Sequence, residues 1–303
     1  MDILSDILSK VKLSSAVYFK SDFSEPWGMD IPKGPFAQFH IVTRGQCVLK
    51  TKEVSIQLFT GDIVVFPLGA GHWLANSEKS KRYQGLEVVE AILSGNSLFE
   101  GNELSTTLVC GHFEFDRNMA HPFIKELPAM IHIKNEDVKQ FIWLKNITDL
   151  VIDEAEMEKS GSNVIVNKLG EILFIHTLRA LIEKNKLKTG FIAAMQDERI
   201  SKVLKEIHSH PQNDWQLDKL AQIAGMSRTS FINKFKSLIG VTPFNYLTQW
   251  RLLQAKELLA ESELAVGEIA EQVGYQSEAA FNRVFKKNVA QTPLKFRQKV
   301  WIG

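Results

Sequence analysis

Two histidines and one cysteine in the N-terminal part of the chain are of residue types that bind metal ions and react with oxidants. His40 lies in a run of β-branched and aromatic residues, His72 follows a Gly-Ala-Gly turn, and Cys110 begins Cys-Gly-His-Phe-Glu-Phe. Gln38 lies two residues before His40, so both side chains face one side of a strand. We predict that Gln38, His40, His72 and Cys110 form an effector or sensor site. Two imidazoles and a thiolate suit Zn²⁺ or copper, so His40, His72 and Cys110 are also the predicted metal ligands.

The same residues have a second interpretation, in which Cys110 is a buried apolar thiol and the histidines satisfy hydrogen bonds or touch an organic ligand. Cys47 is expected to pack in the core, and His112 is a reserve ligand because it faces the same side as Cys110. The remaining five histidines have no partner pattern and are expected to be structural or exposed: His121, His132, His176, His208 and His210.

Two segments of the last hundred residues repeat each other. Residues 217–243 match 266–293, with an offset of 49 residues before the turn and 50 after it. Each segment predicts a short helix, a turn with glycine (Gly225 or Gly274), and a second helix capped by serine (Ser227 or Ser277). This pattern predicts a helix-turn-helix, whose second helix enters the major groove of DNA.

The second helix of each repeat has two phenylalanines at i, i+4, which anchor one face in the core. The opposite face is the predicted DNA-binding surface. It comprises Arg228, Thr229, Ile232, Asn233 and Lys236 in the first repeat, and Glu278, Ala279, Asn282, Arg283, Lys286 and Lys287 in the second. Residues 200–303 carry 14 lysines and arginines against 9 aspartates and glutamates, an excess that suits a polyanionic partner.

The elements that position these residues change along the chain. Residues 36–115 consist of short β-rich runs ending at Gly, Pro or Asp, which predicts a barrel or sandwich. Residues 137–159 and 163–185 have helical periodicity, and the rest is nearly all helix. We predict a two-domain α+β protein: a sensor barrel (1–130), a helical connector and dimerisation region (131–195) and a tandem helix-turn-helix domain (196–303). The wide apolar stripe of helix 163–185, with Ile165, Leu169, Ile172, Leu173 and Ala180, predicts a homodimer.

Composition excludes several classes of protein. The 303 residues are 45% hydrophobic and 23% charged, values typical of globular domains. The sequence has no run of about 18 apolar residues, so no membrane span is predicted, and the first residues do not resemble a signal peptide. Two cysteines form no disulfide framework, which favours the reducing cytoplasm.

Residues 196–300 resemble the tandem helix-turn-helix domain of the AraC/XylS family of bacterial transcription regulators. The resemblance rests on LAQIAGMSRTSFINKFKSLIGVTPFNYLTQWRLLQAKELL and IAEQVGYQSEAAFNRVFKKNVAQTPLKFR. It implies that helix 243–260 joins two units whose recognition helices enter successive major grooves, and that RNA polymerase is a partner. An activator is predicted, and the sequence leaves a repressor open as the alternative. Ala290 departs from the pattern, because the family has glycine there, as the first unit does at Gly240.

Residues 61–76 are similar to the second motif of the cupin superfamily, with His72 entering the barrel. The first metal motif is depleted, since Gln38 replaces a glutamate and residues 32–34 are Pro-Lys-Gly instead of a His-x-His pair. The leading prediction is therefore a non-enzymatic regulator that responds to a metal, an oxidant or a small organic effector. The alternatives are a cupin-type metalloenzyme with an appended helical domain, and a constitutive DNA-binding protein whose barrel only dimerises.

Overall fold

The computed structural model describes residues 2–11, 13–99, 101, 103–115, 121–156, 159–184 and 190–302. It divides into two compact units. We call Leu13–Glu114 with Leu127–Asn185 the β unit, and Met1–Lys12 with Phe115–Glu126 and Lys186–Gly303 the helical unit. The helical unit thus combines the C-terminal helices with two short stretches from earlier in the chain, residues 1–12 and 115–126. None of the described helices is both long and apolar enough to cross a membrane.

The described residues of the β unit form nine strands in a curled sheet. The strands are β1 (Ser14–Ser24), β2 (Gly28–Ile31), β3 (Ala37–Lys50), β4 (Ser55–Phe59), β5 (Ile63–Phe66), β6 (His72–Ala75), β7 (Tyr83–Gln84), β8 (Leu104–Glu114) and β9 (Ile131–Ile133). The sequence predicted strands only from residue 36 onward and therefore missed β1 and β2. Polar residues in β1 obscure the alternation of apolar and polar side chains that is typical of a strand, and β2 has only four residues.

The long strand β3 gives the sheet its curl. Its first half pairs with β8 on one side and β5 on the other, and its second half pairs with β4 and β6. The register shifts between Val42 and Arg44, where the strand changes partners. Gly45 follows in a left-handed conformation (φ 75°), and a Cβ there would overlap the carbonyl oxygen of Ser105. The curl turns one face of β3, β5, β6 and β8 into a closed apolar interior.

Four helices complete the described part of the β unit: α2 (Gly85–Leu93), α4 (Asn135–Gln140), α5 (Ile142–Glu156) and α6 (Ser162–Lys184). Helix α6 lies against β1, where Gly170 allows close contact with Ser15. Leu173 and Ala180 are both fully buried within this unit. Their predicted place on the outward dimer stripe is therefore wrong. The exposed apolar residues of α6 are Val164, Ile165 and Ile172, so Ile165 and Ile172 are the exposed members of the predicted stripe.

The helical unit confirms the repeat. Its described helices are α1 (Ile3–Val11), α3 (Pro122–Lys125), α7 (Gly190–Gln196), α8 (Ile200–Ser209), α9 (Leu217–Ile223), α10 (Arg228–Ile239), α11 (Pro243–Glu261), α12 (Val266–Gln272), α13 (Glu278–Val289) and α14 (Pro293–Ile302). Helices α9 to α11 and α12 to α14 follow the same order, and α11 is the predicted joining helix. Two phenylalanine pairs, Phe231 with Phe235 and Phe281 with Phe285, are fully buried beneath the two repeats.

Candidate DNA-binding surface and cupin-like interior

The first helix-turn-helix consists of α9 and α10. Gly225 has φ 61°, which lets the chain turn sharply between the helices. The hydroxyl of Ser227 accepts the backbone N–H of Ser230 at 3.3 Å and so caps α10. Phe231 and Phe235 pack edge to face below it, with ring centroids 5.6 Å apart. These contacts fix which face of α10 points to solvent.

The second helix-turn-helix, α12 and α13, repeats this geometry. Gly274 has φ 88°, and the hydroxyl of Ser277 accepts the N–H of Ala280 at 3.2 Å. Phe281 and Phe285 lie 5.5 Å apart in the same edge-to-face arrangement. The two predicted recognition helices are therefore built by equivalent contacts.

The predicted DNA-binding residues lie on the outward faces of α10 and α13. Nine are exposed and two, Ile232 and Asn282, are half-buried. The Arg228 guanidinium lies 3.9 Å from the Asp218 carboxylate, and both side chains are exposed, so this ion pair is weak. Each recognition helix carries three basic residues, and those of α13, Arg283, Lys286 and Lys287, are all exposed. This surface has the charge and the helix geometry that DNA binding requires.

Both recognition helices end in a left-handed residue. Gly240 has φ 77° and Ala290 has φ 60°, and each N–H bonds to the carbonyl four residues earlier. The loop after α13 therefore has the expected shape although alanine stands in place of glycine.

In the β unit, His40, His72 and Cys110 form a row of hydrogen bonds. His40 Nδ1 lies 3.0 Å from Cys110 Sγ, and His40 Nε2 lies 2.8 Å from His72 Nε2. His72 Nδ1 is 2.8 Å from the carbonyl oxygen of Ala70. One set of neutral tautomers satisfies every bond: the thiol donates to His40, His40 donates to His72, and His72 donates to Ala70. We call these three side chains the His-Cys row.

Strand register explains why the row forms. His40 on β3 stands directly opposite Cys110 on β8, and Gln38 stands opposite His112. His72 enters from the start of β6 and stacks on Phe66, with centroids 3.7 Å apart. The predicted convergence of His40, His72 and Cys110 is therefore present, and Gln38 lies on the same inward face with its Oε1 buried and unpaired. His112 is not in the row and contacts the Glu114 carboxylate at 2.9 Å.

Burial keeps the row neutral. It lowers the pKa of His72 to about 4 and lowers that of His40 well below its ordinary value, with the neighbouring His72 adding to the effect on His40. Burial also raises the pKa of the Cys110 thiol and raises that of Cys47, which lies in the core as expected, to about 12. Desolvation therefore disfavours both the Cys110 thiolate and the His40 imidazolium in this structure.

The row does not present a three-donor metal centre. His40 uses its two ring nitrogens in opposite directions, so Cys110 and His72 lie at opposite edges of the ring. In the part of the chain that the structure describes, no group of three His, Cys, Asp or Glu residues could hold a metal ion. The predicted binding of one metal by His40, His72 and Cys110 is therefore not supported, since one imidazole does not direct both nitrogens at one ion.

A second row, in the helical unit, was missed by the sequence analysis. Tyr246 Oη lies 2.6 Å from His208 Nε2 and 3.1 Å from His121 Nε2, and His208 Nδ1 lies 3.3 Å from an Asp6 carboxylate oxygen. The N–H of Phe123 donates to His121 Nδ1 at 3.1 Å. The four residues come from α1, the residue before α3, α8 and α11, so no local sequence pattern predicts that they meet. We call Asp6, His121, His208 and Tyr246 the Asp-Tyr row.

The other three histidines without a predicted partner have structural contacts or are exposed. His132 lies 3.1 Å from Asp62, His176 stacks on Trp143, and the exposed His210 lies 3.4 Å from Glu206.

Comparison with known proteins agrees with this architecture. The cupin family model matches residues 2–183, and a helix-turn-helix domain model matches residues 220–299. An uncharacterised HTH-type transcriptional regulator of Haemophilus influenzae is 30% identical, with 99% of each chain covered. The HTH-type transcriptional regulator AlkR of Acinetobacter baylyi is 29% identical, covering 99% of this chain and 100% of AlkR. The crystal structure of the AdpA DNA-binding domain in complex with target DNA is 31% identical over 34% of this chain and 92% of that chain, with a TM-score of 0.33.

The two full-length relatives are named transcriptional regulators and not enzymes, and each match covers 99% of this chain. The DNA-binding surface and the curled sheet described above occupy the segments that the two family models match. The chain therefore belongs to the AraC-type helix-turn-helix transcriptional regulators that carry an N-terminal cupin domain.

Proposed function

We propose that this AraC-type regulator couples the chemical state of the cupin interior to DNA binding by α10 and α13. The observation that carries the proposal is the His-Cys row, a buried and fully satisfied set of polar side chains inside an apolar interior. Such a row is sensitive to perturbation, because removing or modifying one member leaves the others buried without partners. Gln38, with its unpaired Oε1 on the same face, belongs to this proposed sensor site.

On the DNA side, the proposed contacts are the exposed side chains of the recognition helices. Arg283 at the centre of α13 suits bidentate recognition of guanine, and Lys287 suits a phosphate. At the 50-residue offset of the repeat, Arg283 corresponds to Asn233 on α10, and Lys286 corresponds to Lys236. Phosphate neutralisation by this basic surface makes the affinity fall steeply with salt, by about 0.9 in log K per contacted phosphate for each unit of log salt.

One signal that suits the row is an oxidant. In that reaction the sulfur of Cys110 attacks hydrogen peroxide, the O–O bond breaks, and the products are a sulfenic acid and water. His40 Nδ1 lies 3.0 Å from the sulfur, where it can accept the thiol proton and pass it to the departing hydroxide. The raised pKa of the thiol makes this reaction slow until the row is disturbed.

The other signal is a small organic effector that exchanges hydrogen bonds with Gln38, His40 or His72. The neutral row and its apolar surroundings suit an uncharged molecule. A metal ion is not proposed, because the row has no three-donor geometry.

We further propose that the protein is a homodimer through α6. Ile165, Leu169 and Ile172 follow the 3–4 spacing of one helix face, and Ile165 and Ile172 are exposed. A second copy of this helix would cover that stripe. The dimer would act in the cytoplasm as an activator, with RNA polymerase as the partner that the family resemblance implies.

The proposal is tested with a DNA duplex selected by the purified protein from a random pool. Affinity for this duplex is measured by fluorescence anisotropy before and after treatment with hydrogen peroxide, and Cys110 oxidation is followed by mass spectrometry. Native mass spectrometry identifies any organic molecule that copurifies, and the DNA affinity is then measured with and without that molecule.

We expect Cys110→Ser, His40→Ala and His72→Ala each to abolish the change in affinity while the folded spectrum is retained. Cys47→Ser is the matched control and should respond like the wild type, since Cys47 lies outside the row. If Cys110→Ser responds normally to peroxide, the oxidant is excluded as the signal. If the three row variants all respond normally to every ligand and oxidant that affects the wild type, the row is not the sensor.

A further inference from the structure

The β unit contains a cavity that the proposed sensor site does not use. It has a volume of about 200 Å³ and lies between strand β1 and helix α2. We propose that this cavity binds a small uncharged organic molecule, with an apolar body and one hydroxyl or carbonyl group, as an effector. The regulatory role rests on the proposed function, whereas binding itself is independent of DNA.

The size and walls of the cavity define the class of ligand. Lys20–Phe23 form one wall, Val88, Ala91 and Ile92 on one face of α2 form the second, and residues 96–99 close the end. Phe23, Val88, Ile92 and Phe99 belong to the apolar core or pack against it. A cavity of about 150 Å³ lined by apolar side chains is known to bind benzene, so this one has room for a substituted benzene ring.

Ser21 supplies the polar contact. It is 97% buried, being 3% exposed, and its hydroxyl has no hydrogen-bond partner. Ser21 and Phe23 lie two residues apart on β1, so both face the apolar side of the strand. A buried hydroxyl without a partner is unfavourable, and a ligand hydroxyl or carbonyl would satisfy it.

The charged residues of the wall already have partners. Lys20 pairs with Glu156, and an Asp22 carboxylate oxygen accepts the Thr107 hydroxyl at 2.6 Å. A charged ligand would therefore bury its charge against apolar side chains without an available counterion in the wall. This arrangement selects an uncharged ligand.

Strand β1 connects the cavity to the proposed signalling elements. It pairs with β8, which carries Cys110, and its Ser15 hydroxyl donates to the carbonyl oxygen of Asn167 on α6. The N–H of Val17 donates to the Asn167 side-chain oxygen at 3.0 Å. A ligand that shifts β1 would thus act on α6, the proposed dimer helix.

Binding is tested on the full-length protein with three probes of similar size: phenol, toluene and benzoate. Dissociation constants come from ligand-observed NMR. We expect phenol to bind more tightly than toluene, and benzoate to show no binding at the same concentrations. Ser21→Ala should weaken phenol binding about fivefold to tenfold and leave toluene binding unchanged within twofold, because only phenol uses the hydroxyl.

A second variant keeps the test independent of Ser21. Ala91→Phe fills the cavity and should abolish binding of both phenol and toluene, whereas Leu86→Phe on the exposed side of α2 should change neither. No phenol binding to the wild type, or binding unaffected by both cavity variants, would overturn the site. If phenol binds as expected but leaves DNA affinity and dimerisation unchanged, the effector role is wrong, whatever the outcome for the His-Cys row.

Discussion

Ala290 ends the second recognition helix in the same left-handed conformation that Gly240 adopts at the end of the first. Their φ angles are 60° and 77°, and Ala290 is the one non-glycine residue with a positive φ in the described parts of the chain. A side chain in this region is strained by roughly 1–2 kcal/mol. The second recognition helix therefore ends in the backbone conformation of the family pattern, although the residue there is alanine instead of glycine.

Relief of this strain is the first prediction. Ala290→Gly should stabilise the helical unit by about 1 kcal/mol, because glycine adopts this conformation without steric conflict. Gly240→Ala should destabilise it by a similar amount. Urea unfolding of the full-length protein followed by circular dichroism at the helix band measures both. A destabilised Ala290→Gly variant would show that the alanine methyl group makes a contact outweighing the strain.

The second prediction concerns acid sensitivity of the β unit. Burial lowers the pKa of His72 to about 4 and that of His40 well below its ordinary value. As the pH falls, both imidazoles therefore bind a proton in the unfolded chain before they bind one in the folded protein. The stabilisation from the neutral row is therefore complete above about pH 6.5 and is lost as the pH falls toward 4. When the pH is lowered from 7.0 to 5.5, protonation of each of these histidines in the unfolded chain should lower the free energy of unfolding by about 1 kcal/mol.

Urea titrations at the two pH values measure this dependence. His72→Gln should reduce it by one histidine's share, and the exposed control His210→Gln should leave it unchanged. An unfolding free energy that does not fall between pH 7.0 and 5.5 would contradict the neutral row.

The third prediction concerns the Asp-Tyr row. Tyr246→Phe removes the hydroxyl between His121 and His208 and leaves two buried imidazole nitrogens without partners. We expect the helical unit to lose about 2 kcal/mol of unfolding free energy, within the usual range for an orphaned buried polar group. Tyr275→Phe is the matched control on a half-buried tyrosine and should cost less than about 0.5 kcal/mol. Equal losses in the two variants would argue against the shared hydroxyl.

The fourth prediction concerns the dimer. Ile172→Glu places a charge on the exposed stripe of α6 and should give a soluble monomer, measured by sedimentation equilibrium. Asn163→Glu adds the same charge at an exposed position outside the stripe and should remain dimeric. Leu173→Glu is unsuitable, because Leu173 is fully buried in its own unit and the variant would unfold. A dimeric Ile172→Glu protein would place the interface elsewhere.

Local and repeating features could be predicted from the sequence. The helix-turn-helix pair is encoded by glycine turns, serine caps and phenylalanine spacing within short windows, and Ser227 and Ser277 act as predicted. The convergence of His40 with Cys110 also follows from alternation along two strands. These features depend only on residues near one another or on the period of an element.

The features that sequence could not give depend on long-range packing. The Asp-Tyr row joins Asp6 to Tyr246, which no periodicity relates. The outward face of α6 depends on how β1 packs against Gly170, and periodicity alone therefore placed the buried Leu173 and Ala180 on it. The protonation of Cys110 depends on the depth of its burial, which a motif does not specify.

The central claim, that both recognition helices read DNA, is tested most directly by hydroxyl-radical footprinting. The footprint is taken on a duplex that the wild-type protein selects from a random pool. We predict two protected regions on one face of the duplex, about 10 base pairs apart, for each bound chain. Arg283→Ala should weaken binding by roughly 1–3 kcal/mol and lose one region's sequence preference, whereas Lys287→Ala should weaken all sequences alike. A single protected region, or a footprint and affinity unchanged by Arg283→Ala, would contradict the account.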